Sequence, residues 1–343
     1  MTESEARALL AERAGSNSSL KVGLLSNPGS GRNKRGLETV RGILKAYPDT
    51  LHREARTPDE VSDVLSEFAG NDVDLVALNS GDGTVQAALT ALFNNRPFSR
   101  LPILGLLRGG STNVNIGDIG IRGDRDRGLR RLLNWARDLH TGAELCQRPV
   151  LRVNASPGSE PIYGMLFGAG VITRGIEYYH NSVHDKGMYD GTATGLTTLR
   201  MLLAIARRDP AYVAPISVEV EMDTAEAGSH LPAHDRDYLL LLVSALERLF
   251  LGIHPFWGSG SGSLHYTAVH KGPAHTMLAM PPLFWGRPNR FGTPENGYES
   301  HRINRLRFSM EGHFTLDGEL YRADRSDGPV SVSRDGPVTF VRL

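Results

Sequence analysis

The chain has one cysteine, Cys146, in 343 residues, which excludes an intramolecular disulfide. It has no excess of either charge. Its 38 lysines and arginines equal its 38 aspartates and glutamates, so no global field draws it to nucleic acid. Long apolar runs are missing too. No stretch approaches the ~18 residues that would span a bilayer. The start, Met1 to Arg7, has neither the basic beginning nor the apolar run of a secretory signal. No internal repeat and no low-complexity tract occurs. These absences predict a cytoplasmic globular protein with no nucleic-acid partner and no transmembrane segment. What is present is an ordinary share of apolar residues and much glycine, 38 residues in all. The length exceeds what one compact core usually holds, so two domains are expected.

Residues 1–19 read as a short helix and a polar link. From Lys21 a unit repeats: apolar strand, glycine-rich loop, helix. Val22 to Leu25 is a short apolar run closed by Ser26-Asn27-Pro28-Gly29. Leu37, Val40, Leu44 and Tyr47 then recur at near-helical spacing. Thr57-Pro58-Asp59-Glu60 has the form of a capping box, ahead of a face of Val61, Val64, Leu65 and Phe68. Val73 to Leu78 and Ile103 to Leu107 read as buried strands. Val85, Ala88, Leu89 and Leu92 mark one further helix, and Leu129, Leu132, Leu133 and Ala136 another. The alternation predicts a doubly wound, mostly parallel α/β sheet over residues 20–148. Beyond Arg148, strand-like runs separated by turns predict a β-rich antiparallel sandwich or barrel over residues 149–321. These runs are Ile216 to Val220, Tyr238 to Val243, Tyr266 to Val269, Thr276 to Met280 and Leu306 to Phe308. One helix, about Thr194 to Arg207, interrupts them. Val330 to Leu343 reads as a hairpin around Arg334-Asp335-Gly336-Pro337.

Three glycine-rich loops follow strands of the first domain. The carboxyl ends of strands in an open parallel sheet share one crevice, so these loops can converge there. The first is Asn27-Pro28-Gly29-Ser30-Gly31, with Arg32, Lys34 and Arg35 just after it. Glycine lets backbone N–H groups approach a phosphate, and the next helix N-terminus favours an anion. It is neither a P-loop nor a dinucleotide fingerprint, since the lysine and the third glycine are missing. An ordinary strand-to-helix turn explains this loop equally well. The second, Ser80-Gly81-Asp82-Gly83-Thr84, sets a carboxylate between two glycines. Helix capping by Asp82 is the bland reading; capping does not need glycine on both sides, whereas close approach of another group does. The third, Gly109-Gly110-Ser111-Thr112-Asn113, reads as a polar turn or as a binding loop.

With Phe314-Thr315-Leu316-Asp317-Gly318-Glu319, the three loops resemble the diacylglycerol kinase catalytic-domain family. That family includes bacterial lipid kinases and sphingosine kinases, with NAD kinases as more distant relatives. Its Asn-Pro-x-Ser-Gly is met by Asn27 to Gly31, its Gly-Gly-Asp-Gly-Thr as Ser80 to Thr84, and its Gly-Thr-x-Asn loosely as Gly110 to Asn113. Its late Asp-Gly-Glu is met by Asp317 to Glu319. The resemblance implies a kinase that transfers the γ-phosphoryl group of ATP, with Mg²⁺, to a hydroxyl of diacylglycerol, a sphingoid base or a related lipid. It implies a nucleotide site between the two domains and last strands that fold back onto the first, so that 322–343 complete it. Nucleotide contacts carried over are Asn27, Pro28, Gly29, Ser30, Gly31, Ser80, Gly81, Gly83, Thr84, Val85, Gln86 and Ser111. Thr57 falls where the family often touches the nucleotide; helix capping is its competing reading. Asp82 and Glu319 take the catalytic positions. A helix N-terminus beside Asp82 should stabilise its ionised form and weaken it as a base. Glu319 is therefore expected to be the base, with Asp82 organising Mg-ATP and the hydroxyl. No residue can be assigned as a metal ligand.

Three departures set this chain apart from the family. The Asn-Asp of the third loop is Asn113-Val114. The glycine stretch Gly168-Ala169-Gly170 is followed by Val171, Ile172 and Thr173 rather than an aspartate. Gly258 to Leu264 has no acid where many bacterial members hold a structural metal. An altered acceptor pocket follows, and the rival readings are a kinase of a soluble alcohol and a nucleotide-binding sensor without turnover. Aromatic pairs at Tyr178-Tyr179, Phe256-Trp257 and Phe284-Trp285 could line an acyl pocket or touch a membrane, with core packing the preferred reading. Arg122, Arg125, Arg127, Arg130, Arg131 and Arg137 read as a solvated helix face rather than a lipid-headgroup site. His180 and His184 lack a third ligand and read as structural. The expected partner is a lipid substrate, met by peripheral visits to the membrane surface; a homodimer is compatible with the sequence.

Overall fold

The structure is a computed structural model, described over residues 2–110, 113–139, 142–174, 216–223, 230–249 and 252–343. The chain divides into two units, Met1–Arg148 with Gly336–Leu343, and Pro149–Asp335. Residues 322–335 thus stand in the second unit.

In the first unit, α1 (Glu3–Gly15) leads to β1 (Val22–Ser26), α2 (Asn33–Leu44), β2 (Leu51–Glu54), α3 (Pro58–Gly70), β3 (Leu75–Ser80) and α4 (Asp82–Asn94). Then come β4 (Ile103–Arg108), α5 (Ile116–Ile119), α6 (Arg125–Asp138) and β5 (Glu144–Asn154), which carries the chain out. The sheet is parallel and runs β2-β1-β3-β4, with Phe340 of the returning tail paired beside Leu104. Every residue of β1 and β3 is buried, as a sheet covered on both faces requires. Ala6 and Leu9 of α1, Val40 and Ile43 of α2 and Leu129 and Leu132 of α6 join Leu24 and Ala77 in one core. On the other face Phe68 of α3 lies over Gly23, where any Cβ would come within 2.6 Å of the ring.

The second unit holds β6 (Ile162–Gly164), β7 (Leu166–Gly170), β8 (Ile216–Asp223), β9 (His230–Ser244), β10 (Leu264–His270) and α7 (Thr276–Leu283). It continues with β11 (Tyr298–Ile303), β12 (Arg305–Ser309), β13 (Gly312–Leu316), β14 (Glu319–Ala323) and the start of β15 (Val330–Arg342). Pairing is antiparallel in the order β14-β13-β7-β9-β8-β12-β15, and β10 joins β9 to β11. Phe167 packs its ring against Phe308 and Phe314, at 5.2 and 5.4 Å between centroids. The mostly parallel α/β half and the antiparallel half match the fold class that the periodicities predict.

Four local expectations are corrected. Thr276 to Met280 is helix, not strand, because leucine, alanine and methionine are good helix formers and no strand neighbour claims the run. Val330 to Leu343 is one strand rather than a hairpin. Val330 to Ser333 pair with β12 while Phe340 pairs with β4, so separate partners outcompete a local turn. Trp285 is exposed, against the core packing expected of the Phe284-Trp285 pair. Arg125 is buried rather than solvated. Tyr178, Tyr179, His180, His184 and the helix expected at 194–207 lie outside the described residues.

Candidate functional site

In the first unit the strand order reverses between β1 and β3, the place where an open parallel sheet leaves a crevice at its carboxyl edge. The first glycine loop leaves β1, the second leaves β3, and the third leaves the neighbouring β4. Hydrogen bonds tie them into one platform. Asn27 Nδ2 donates to Thr84 Oγ1 at 2.8 Å, and Gly81 N–H donates to Ser30 Oγ at 3.1 Å. Arg32 N–H donates to the Gly109 carbonyl at 3.0 Å. Gly109 and Gly110 let the third loop lie directly on the second. A Cβ on Gly109 would sit 2.6 Å from Ser80 N, and one on Gly110 2.5 Å from Gly81 Cα.

Within the first loop Asn27 Oδ1 accepts from Gly29 N–H at 2.7 Å, and Asn33 Nδ2 donates to the carbonyls of Asn27 and Asn79. Most donors of this loop therefore point inward. The first turn of α4 differs. Its N-cap is Gly81, which supplies no capping side chain, so the amides opening the helix have no side-chain acceptor. A helix N-terminus in that condition, flanked by glycine, suits a phosphate.

Asp82 is the first residue of α4 and does not cap it. Its carboxylate reaches across to the third loop: Oδ2 accepts from Val114 N–H at 2.9 Å and Oδ1 from Asn115 N–H at 3.2 Å. Asn113, with φ of +53°, closes that loop by bonding both the N–H and the carbonyl of Gly110. Burial pushes the Asp82 carboxyl above its ordinary pKa, with the N–H groups of residues 113–115 opposing. The direction is opposite to the lowering expected from the helix dipole, because desolvation outweighs those N–H donors.

Among the other residues singled out by sequence, Ser80, Thr84, Val85 and Gln86 are buried, and Pro28, Gly31 and Gly83 are part-exposed around the platform. Thr57 forms a capping box on α3: its Oγ1 accepts from Glu60 N–H, and the Glu60 carboxylate accepts from Thr57 N–H. Ser111 lies outside the described residues. Glu319 belongs to the second unit, where it is exposed at the first position of β14. Beside it Asp317, with φ of +51°, and Gly318, with φ of +93°, form a tight two-residue turn. Asp317 is buried, and its two oxygens accept from Met165 N–H and Leu166 N–H, each at 2.9 Å.

Sequence reading missed four supporting side chains. Asn33 and Asn79 lace the first two loops together, and Asn79 directly precedes the second loop, a positional signal that was there to use. Arg125 buries its guanidinium against Asn33 Oδ1 at 3.0 Å and the Gly36 carbonyl at 2.8 Å. It looked like one arginine among six. Asp317, close to Glu319 in the chain, holds the Met165 and Leu166 amides, a role with no local signal in the sequence. Among the described residues no three histidine, cysteine or acidic side chains gather to hold a metal.

Residues 21–143 match the family model of the diacylglycerol kinase catalytic domain. The resemblance read from the glycine loops is thus borne out over that stretch. Three solved structures from Bacillus anthracis are similar to the whole chain, one described as a diacylglycerol kinase and two assigned as such. Their TM-scores are 0.59, 0.62 and 0.61 at 16, 16 and 17 % identity. They cover 94, 94 and 95 % of this chain and 96, 96 and 98 % of their own. At that identity the likeness carries the fold alone. No curated protein matches the sequence.

Proposed function

We propose that the chain is an ATP-dependent kinase that transfers the γ-phosphoryl group to a hydroxyl of diacylglycerol, a sphingoid base or a related lipid, working from the cytoplasm at the membrane surface. The observation that carries this is the platform of three glycine loops around the uncapped start of α4, within the stretch that matches the kinase family. Phosphoryl transfer demands little covalent chemistry of the protein; it demands positioned phosphates and stabilised charge. The amides opening α4 and the close-approaching glycines suit the phosphates of a nucleotide.

Bound Mg²⁺ would neutralise charge between those phosphates. Its ligands would come largely from phosphate and water, as is usual for this ion, together with Asp82. The four lone pairs of the Asp82 carboxylate exceed the three N–H groups of residues 113–115, which leaves one for a cation. Asp82 thereby holds the third loop and faces the phosphates with the same carboxylate. Glu319, exposed and held at the head of β14, is the group we assign to orient the acceptor hydroxyl and take its proton, a role commonly worth ~10²–10⁴-fold in rate.

A second reading has its own observation. Val114 stands where the family carries aspartate, and Asp82 spends two bonds on the third loop. That favours a nucleotide-binding sensor without turnover. One screen separates the readings: phosphate transfer from labelled ATP to lipids in vesicles and to soluble alcohols including NAD. Transfer to lipid alone, abolished by Asp82→Asn, is the expected outcome. Transfer to NAD, or tight ATP binding with no transfer to any acceptor, sinks it.

A further inference from the structure

Among the described residues, the large apolar side chains that stand most exposed all lie on one short segment of the second unit. Met277 is 71 % exposed, Leu278 55 % and Trp285 52 %. They belong to α7 and the turn after it. This helix, Thr276–Leu283, carries no charged residue. At 3.6 residues per turn, Met277, Leu278, Pro281 and Trp285 fall within about 100° of one another on one side. Ala279 and Leu283 fall on the opposite side and are buried against Leu239, Val269 and Tyr298. The helix is apolar all round: one stripe anchors it to the protein and the other meets water. Helices of that kind belong in a core or against an apolar phase.

The charge around the stripe names the phase. No aspartate or glutamate occurs between Glu247 and Glu295, while Lys271, Arg287 and Arg290 all lie in that span and all are exposed. Asp237 is matched by Lys271 at 2.8 Å, Glu299 lies 3.3 Å from His270 Nε2, and exposed Glu295 is the acid on the short turn whose Asn296 carbonyl accepts from Ala274 N–H ahead of α7. Arg287 and Arg290 have no acidic partner among the described residues. Arg290 lies over the Phe291 ring at 4.7 Å, and its neighbour Asn289 donates from Nδ2 to the Leu278 carbonyl at 2.8 Å, which holds this segment beside α7. A tryptophan and two free arginines bordering apolar side chains suit the boundary between headgroups and acyl chains.

We propose that α7 and the turn through Arg290 form a docking face for an anionic lipid bilayer, with Met277, Leu278 and Trp285 entering the acyl boundary and Arg287 and Arg290 meeting the headgroups. Such docking serves the lipid-acceptor reading above and rests on it for its purpose, but is tested apart from it. The full-length protein is sedimented with vesicles of phosphatidylcholine alone and with about one third phosphatidylglycerol. Binding should favour the anionic vesicles. Met277→Gln with Leu278→Gln and Trp285→Gln should weaken it at least tenfold. Arg287→Gln and Arg290→Gln should each weaken it about fivefold, and added salt should erase that part. Brominated acyl chains should quench the parent's fluorescence and spare Trp285→Phe, which keeps the apolar contact. This readout decides the matter even if the triple variant fails to fold. Equal partitioning of parent and variants, or quenching unchanged in Trp285→Phe, overturns the proposal. So does a lipid-free dimer that the triple variant dissolves, because a second copy would then cover the face. Phosphorylation of a water-soluble short-chain diacylglycerol should be the same in parent and variants. If no lipid is phosphorylated at all while vesicles are still bound, the acceptor reading fails and the docking face stands.

Discussion

Two aspartates, one in each unit, do the same mechanical job in opposite settings. Asp82 accepts two successive N–H groups from residues 32 and 33 positions away, and Asp317 accepts two from residues 152 and 151 positions away. Both pin a distant segment by a forked carboxylate. Asp317 sits in a tight turn against Gly164, where a Cβ would come within 2.6 Å of Oδ2. Asp82 sits between two glycines on the first turn of a helix whose N-cap brings no side-chain acceptor, so the amides beside it stay open. The difference teaches that a carboxylate fork marks architecture. The open donors beside it, not the fork, carry the proposal of a phosphate site.

That contrast can be broken in order of effect. Glu319→Gln should cost ~10²–10⁴-fold in lipid phosphorylation and leave the denaturation midpoint where it was, since the side chain is exposed. Unimpaired transfer removes Glu319 from the catalytic list. Its neighbour should behave in reverse: Asp317→Ala strands two amide donors and should cost ~3–5 kcal/mol in denaturant unfolding of the full chain. A loss under about 1 kcal/mol would mean water replaces the carboxylate there.

Glycines sharpen the comparison next. Gly110→Ala forces backbone against backbone and should cost ~1–3 kcal/mol together with most activity. Gly318→Ala meets open space and bears only the penalty of its φ of +93°, ~1 kcal/mol, with activity kept. Equal losses at the two sites would deny that the glycine platform is special.

The smallest effect is a matter of pH. Burial raises the Asp82 pKa, so the folded state binds that proton more tightly than the unfolded chain does. The group's contribution to stability is then greatest below the unfolded value of 3.8 and declines as pH rises through the folded one. Asp82→Asn cannot ionise. Its melting temperature should fall less than the parent's as pH is raised from about 4 to neutrality. A steeper fall in the variant contradicts the raised value.

Local patterns were legible wherever a residue's partners lie nearby in sequence. The apolar runs at Val22 to Leu25 and Ile103 to Leu107, the capping box at Thr57 and the glycine loops all announce themselves, because strand, cap and turn chemistry is local. They led to the α/β unit and to the kinase resemblance. Where short runs had rival partners, local reading failed. Thr276 to Met280 could be strand or helix, and the tail's turn residues lie inside a strand whose two halves have different neighbours.

The sequence by itself determined the fold class, the strand and helix order of the first unit and the glycine-flanked carboxylate, since these follow from periodicity and backbone permissiveness. Only the tertiary structure decided what each polar group holds. It turned Asp82 onto the third loop, buried Arg125 beneath the first, gave Asp317 its two amides and left Met277, Leu278 and Trp285 facing water. The reason is physical: desolvation and hydrogen-bond satisfaction depend on which chain segments meet, and residues 82 and 114 or 165 and 317 meet only after the sheets have formed.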